Sequence, residues 1–208
     1  MSQWCRQIRT SAKIQVLFTG HLGIATITTN ADNINTAVDR VAKIIFALKS
    51  FSRIGSDQAW IEADLRDGLE TVLTIYQNQI KQGTELVRNY EAVPPILCLP
   101  DELNQVWTNL IHNALQAMNH TGTLTLSLKH VGDNAVVLIS DTGCGIPEEI
   151  RSKIFDAFFT TKAAGEGSGL GLDIVRKIIE KHGGKIDIDS EVGRGTTFSV
   201  SLPIVRTL

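Results

Sequence analysis

Apolar positions recur at two different periods along this chain, and the places where the period changes divide it. Between residues 33 and 51, Ile34, Val38, Val41, Ile44, Ile45 and Leu48 fall on one helical face with Asp, Lys and Arg filling the gaps, the pattern of an amphipathic helix. A lone helix of this length is marginal in water. The stripe therefore predicts a helical dimerisation segment over 1–53 and a homodimer. Residues 1–30, rich in Thr, Ile and Val around Gly20 and Gly23, carry a weak helical signal that fixes no element. Gly55 and Ser56 break the register, so 54–58 reads as a linker and a domain of 59–208 follows it.

Within that domain the pattern predicts a strand at 59–63, then a helix capped by Asp64 that reaches about residue 81 and stops at Gly83. Strands are predicted at 85–90 and 96–99. Pro100, Asp101 and Glu102 open a helix that runs to about 119. Residues 123–130 and 135–140 alternate around a turn at Gly132, Asp133 and Asn134 and predict a hairpin. A helix over 147–157, a glycine-rich stretch, a helix over 168–182 closed by Gly183 and Gly184, and a last hairpin over 185–204 complete the order. The fold class is α+β, a two-layer sandwich in which helices cover one face of a mixed sheet.

Composition narrows the field. With 208 residues, 43% hydrophobic and 20% charged, the chain is long enough for one such domain and a smaller appendage. A net charge of -2 and a pI near 6.2 supply no basic field for a nucleic-acid backbone, so no nucleic-acid partner is expected. The longest strongly apolar runs are strand-sized, and no membrane span is expected. The three cysteines, Cys5, Cys98 and Cys144, pair in no metal or disulfide spacing, and the first residues lack the layout of a secretion signal. A cytoplasmic location is the expectation.

Four short stretches carry the candidate chemistry. In Asn109-Leu110-Ile111-His112-Asn113-Ala114, the two asparagines share a helical face about 100° from the core stripe of Leu103, Trp107, Leu110 and Ala114. The Asn113 amide suits magnesium, which keeps most of its shell as water and phosphate oxygens. Taken alone, the pair reads rather as two solvated amides on a helix flank. His112 falls opposite the core and is expected in solvent. Asp141 ends an apolar strand, and Gly143 and Gly145 after it let the backbone approach a flat ligand, with Cys144 as a small filler. A carboxylate there can accept from an adenine amino group, or simply open a turn. Lys162 follows Phe155, Phe158 and Phe159, whose rings are expected to anchor the segment in the core while the ammonium meets a terminal phosphate. Gly165, Gly167, Gly169 and Gly171 lead into a helix N-terminus whose free N–H groups suit phosphate, although glycine content alone fits a flexible linker. Thr196, beyond the turn Gly193-Arg194-Gly195, can hydrogen-bond a purine ring directly or through water.

Together these segments resemble the Bergerat-fold ATP-binding domain shared by sensor histidine kinases, gyrase-type ATPases, heat-shock chaperones and mismatch-repair ATPases. The likeness covers about 59–208. It implies ATP and Mg2+ as ligands. Asn113 would hold the metal, Asp141 and Thr196 the adenine, and Lys162 and the 165–171 lid the phosphates. Asn109 and Lys162 would join Asn113 in the catalytic set. Ala117, Gly143, Gly145, Ile146, Thr161, Gly167, Ser168, Gly169, Leu170, Gly171 and Leu172 would line the nucleotide. In the family's hydrolytic members a water-activating glutamate stands four before the magnesium asparagine. Here that place holds Asn109, an amide with no accessible basic lone pair, which favours phosphoryl transfer over hydrolysis.

The segment 41–53 also resembles the second dimerisation helix of sensor kinases. The resemblance then implies a histidine kinase that passes a γ-phosphoryl group to a histidine and on to a response-regulator receiver domain. The acceptor box of a histidine followed by an acidic residue and a proline is missing. His21, flanked by Gly20 and Gly23, is a weak candidate, leaving an acceptor on a partner, on a further N-terminal part, or in a divergent helix. A nucleotide-dependent binding module and an anti-sigma-type serine kinase are the alternatives.

Overall fold

A computed structural model describes residues 59–162 and 168–204. The helix read over 33–51, the linker over 54–58, His21, Gly165 and Gly167 lie outside the described residues. Among the described residues eleven elements follow one another: β1 (Ile61–Ala63), α1 (Leu65–Ile80), β2 (Thr84–Tyr90), β3 (Ile96–Cys98), α2 (Pro100–Ala117), β4 (Gly122–Val131), β5 (Asn134–Asp141), α3 (Glu148–Arg151), α4 (Gly171–Lys181), β6 (Lys185–Glu191) and β7 (Gly195–Pro203).

Five strands form one mixed sheet in the order β2-β4-β5-β7-β6. β2 runs parallel to β4, because β3 and α2 intervene and return the chain in the same sense; the other three pairings are antiparallel. The strands read at 59–63 and 96–99 do not join this sheet. β1 and β3 pair with each other as a separate antiparallel ribbon, Ile61 opposite Cys98 and Ala63 opposite Ile96. Two three-residue runs beside a helix start are too short to extend a five-stranded sheet, and periodicity carries no information on which strand pairs with which.

The core follows from alternation. Leu124, Leu126 and Leu128 of β4, Ala135, Val137 and Ile139 of β5, and Phe198, Val200 and Leu202 of β7 are all buried. They meet Leu69, Val72 and Leu73 of α1, Val106, Trp107, Leu110 and Ile111 of α2, and Val175 and Ile179 of α4 in one cluster. Burial at about 25 cal/mol per Å² makes this shared apolar interface the main force holding helices on the sheet. Asp64 caps α1, its carboxylate accepting the Arg66 N–H at 2.8 Å. α2 stops at Ala117, two residues before the expected end, because Asn119 and His120 both take positive φ. Gly183, at φ +70, turns the chain out of α4, as expected of a glycine there.

Two helices are shorter than their patterns predict. The expected 147–157 helix is the single turn α3, after which Lys153, Asp156 and Phe159 bond three residues back rather than four. That tighter winding brings Ile154 into the core. The expected 168–182 helix begins only at Gly171, because Gly169 sits at φ +66 and cannot be part of a right-handed turn.

Candidate functional site

Asn109, Asn113 and Ala117 lie at i, i+4 and i+8 on α2, so they share one face and span about 12 Å at 1.5 Å per residue. Each end of that row meets a glycine-rich segment. At the Ala117 end, a Cβ on Gly143 would come within 2.6 Å of the Ala117 carbonyl carbon, and the Cys144 N–H donates to the Ala117 carbonyl at 3.1 Å. At the Asn109 end, a Cβ on Gly171 would lie 3.3 Å from the Asn109 Oδ1. Glycine is what lets both segments reach the helix.

The Ala117 end holds the base-recognition candidates. Asp141 closes β5 directly opposite Thr196 of β7, with 8% and 4% of their surfaces exposed. Burial pushes the Asp141 carboxyl above the ordinary carboxylate range, and the backbone N–H groups of Gly143 and Thr196 partly oppose this by bonding it. The Gly143 bond is 2.8 Å.

The turn after Asp141 is locked to the last hairpin. Gly145 takes φ +73 against the Glu191 carbonyl, where a Cβ would stand 2.1 Å from the oxygen, and the Gly193 N–H donates to the Cys144 carbonyl at 2.9 Å. Ser190 Oγ accepts the Ile146 N–H at 2.8 Å. Arg151 donates to the Ile146 carbonyl at 3.4 Å and also to the Ser190 carbonyl.

The phosphate candidates lie along the same face. Lys162 Nζ donates to the Gln116 Oε1, which brings the lysine to the α2 face that carries Asn109 and Asn113, near its Ala117 end, since 109, 113 and 116 are i, i+4 and i+7. Asn109 Nδ2 is buried with no hydrogen-bond partner among the described residues. A buried donor with no partner among the described residues is open to an acceptor beyond them. Ser168 Oγ accepts the Leu170 N–H at 3.3 Å, and the Leu172 side chain packs against the core. Thr161 is exposed beside Lys162. Asp173, buried in the first turn of α4, would oppose an anion there, but Lys177 at 2.8 Å and Arg176 at 3.7 Å balance its charge.

Two expectations fail. His112 is not in solvent: its ring nitrogens are buried and its ring lies 5.9 Å from that of Tyr76 on α1, because α1 covers the flank that a one-helix reading leaves open. Phe155 and Phe159 pack against the core as expected, but Phe158 is 74% exposed. Its backbone does the anchoring, at φ +68 with the N–H donated to the Gly169 carbonyl at 2.8 Å. Cys144 is exposed, and buried Cys98 has its thiol pushed up to about 11 by desolvation.

Gln116, Ser190 and Arg151 had no place in the sequence reading. Ser190 could have been found, since the hairpin register sets it opposite Thr196; Gln116 could have been found from the i+7 spacing. Nothing in the sequence points to Arg151. No group of metal-binding side chains and no helix long and apolar enough to cross a membrane occurs among the described residues.

A buried acid behind a glycine turn, an amide-bearing helix with a lysine bonded to it, and a glycine-led helix start define a nucleotide-binding domain of the α+β kinase-ATPase class. Residues 98–206, more than half of the chain, match the model of the histidine kinase-, DNA gyrase B- and HSP90-like ATPases, and the chain belongs to that family of ATP-binding domains. It is 35% identical over 187 residues to the sensor kinase CckA of Brucella abortus, covering 82% of this chain and 20% of that protein. It is 36% identical over 185 residues to the sensory histidine kinase/phosphatase NtrB of Azospirillum brasilense, covering 80% and 44%. The solved catalytic domain of the histidine kinase ThkA matches with a TM-score of 0.64 at 30% identity, over 70% of this chain and 95% of that domain. Within the family, the chain carries a catalytic domain of the sensor-histidine-kinase kind. It spans less than half the length of either curated relative.

Proposed function

We propose that this chain is the catalytic core of a two-component sensor histidine kinase. It binds Mg-ATP along α2, with adenine at Asp141 and Thr196 and the triphosphate between Asn113, Lys162 and the 165–171 glycine segment. The observation that carries the reading is the single α2 face that joins the Gly143 turn at Ala117 to the α4 start at Asn109. A buried acid at one end and the Asn109 amide donor, unpaired among the described residues, at the other suit a base at one end and an anion at the other.

The donor set fits the ligands. Asn113 offers the hard amide oxygen that magnesium takes alongside water and phosphate, and the Asn109 Nδ2 needs an acceptor that a phosphate or a bound water supplies. Magnesium, when bound, neutralises charge on the phosphate oxygens. The chain's own residues do the rest: Lys162, bonded to Gln116, adds positive charge beside the α2 face, the α4 N-terminus presents its free N–H groups, and Asn109 leaves no base to activate water. The γ-phosphoryl bond to ADP breaks as a bond to an acceptor imidazole forms, and the group passes next to an aspartate of a receiver domain.

Further parts of this reading are a cytoplasmic homodimer joined through residues 1–53, and an acceptor histidine either in that segment, with His21 a weak candidate, or on a partner. Incubation with γ-labelled ATP, magnesium and a receiver domain, followed by mapping of the label, tests it. The expected outcome is acid-labile label that moves to the receiver aspartate, and its loss in Asn113→Ala. Calorimetric uptake of ATP with no transfer to histidine or receiver would instead favour a binding module, and acid-stable label on serine would favour a serine kinase.

A further inference from the structure

Ser190 Oγ stands at the meeting point of three hydrogen bonds, and its single proton decides the direction of all three. The Ile146 N–H, 2.8 Å away, can only donate. The Gly195 carbonyl, 3.0 Å away, can only accept. The third neighbour, Thr196 Oγ1 at 2.8 Å, can do either. A serine hydroxyl has one proton and two lone pairs. Its proton must go to Gly195 and one lone pair to Ile146, so the remaining lone pair is left to accept from Thr196. All three bonds are made at once only when Thr196 gives its own proton to Ser190.

Thr196 then has nothing left to donate. Ser190 is buried, at 4% exposure, so water does not reopen the choice. Arg151 holds the Ser190 and Ile146 carbonyls from behind, which keeps the strand end and the turn in register. Directly opposite Thr196 stands Asp141, whose carboxylate is also an acceptor. Two adjacent buried side chains thus offer lone pairs and no proton.

We infer that Ser190 is a positioning residue that fixes Thr196 as a hydrogen-bond acceptor, and that the pair Asp141 and Thr196 thereby selects a purine carrying an exocyclic amino group at the 6-position. The inference rests on the nucleotide site proposed above. A purine lacking that amino group leaves a lone pair unmet on each of two buried acceptors, which is penalised more heavily than a lost surface contact.

The test is equilibrium binding to the full chain at pH 8 of two magnesium nucleotides: ATP, and the 5'-triphosphate of unsubstituted purine riboside, which keeps the N1 lone pair and lacks the amino group. Wild type is expected to prefer ATP. In Ser190→Ala the Thr196 proton is released, and the preference should fall by about tenfold, the worth of one hydrogen bond. A role in holding the fold alone would weaken both nucleotides alike and leave their ratio unchanged. On a Thr196→Val background, Ser190→Ala should leave the ratio where Thr196→Val set it, since the relay runs through that hydroxyl.

An unchanged ratio in Ser190→Ala, or an undiminished effect of Ser190→Ala in the Thr196→Val background, overturns the inference. If wild type takes up neither nucleotide, the nucleotide-site reading falls. Uptake of ATP with an unmoved ratio removes only the role of Ser190.

Discussion

Asp141 illustrates how a binding residue can oppose the stability of the domain that carries it. Its folded-state carboxyl titrates above the unfolded value because burial penalises the charge more than the two backbone N–H groups relieve it. For a raised carboxyl, the favourable contribution is complete below the unfolded value, near pH 4, and is lost as pH rises through the folded one. At neutral pH the ionised form therefore works against folding. Asp141→Asn keeps an oxygen for the Gly143 N–H and removes the charge. We expect its thermal midpoint without nucleotide to exceed wild type at pH 7, with the gap closing as pH falls below 4, while ATP uptake drops at least about tenfold. Melting curves across that range, beside a binding titration, check both halves. A midpoint below wild type at every pH would contradict the burial argument.

Among the elements, the α2–α4 contact depends on a residue outside the proposed nucleotide set. His182, buried at the end of α4, donates from Nδ1 to the Ile178 carbonyl at 2.7 Å and accepts the Leu99 N–H on Nε2 at 3.0 Å. Leu99 precedes α2 and has no side-chain cap of its own. The histidine thus joins the end of one helix to the start of another, with Trp60 at 4.8 Å between ring centroids. His182→Ala should cost about 2–4 kcal/mol through a cavity and an unsatisfied N–H, read from urea unfolding. Element boundaries were legible wherever the signal was local: Asp64, Pro100 and the Gly132 turn all mark what the structure contains. They were illegible where distant contacts decide. The 147–157 pattern is helical by period, yet burying Ile154 and anchoring Phe158 on Gly169 tighten the chain after one turn. The separate β1–β3 ribbon is a matter of pairing, which no single strand encodes.

At the scale of the whole molecule, most of the described residues assemble on two long-range decisions: β2 pairs in parallel with β4 across the α2 crossover, and the last hairpin lies against the Asp141 turn. The sequence named the acid, the asparagines, the lysine and the glycines because their chemistry is unusual in those positions. Ser190 and Gln116 carry no unusual chemistry of their own; register and spacing place them, and their importance arises from what stands opposite them once the chain is folded. The described elements all belong to the unit Asp57–Leu208, and every contact described for the site is made within it. A fragment of 57–208 is therefore expected to bind ATP with an affinity within a few-fold of the full chain and to sediment as a monomer; calorimetry and analytical ultracentrifugation would show otherwise if residues 1–56 complete the site.

The α2 face has one more implication. Because both glycine segments are gauged against the same row of side chains, the interval from Asn109 to Ala117 acts as a ruler. One residue added or removed within it would swing one end by about 100° relative to the other. An inserted or deleted residue in that interval would leave two intact half-sites that no single molecule could occupy.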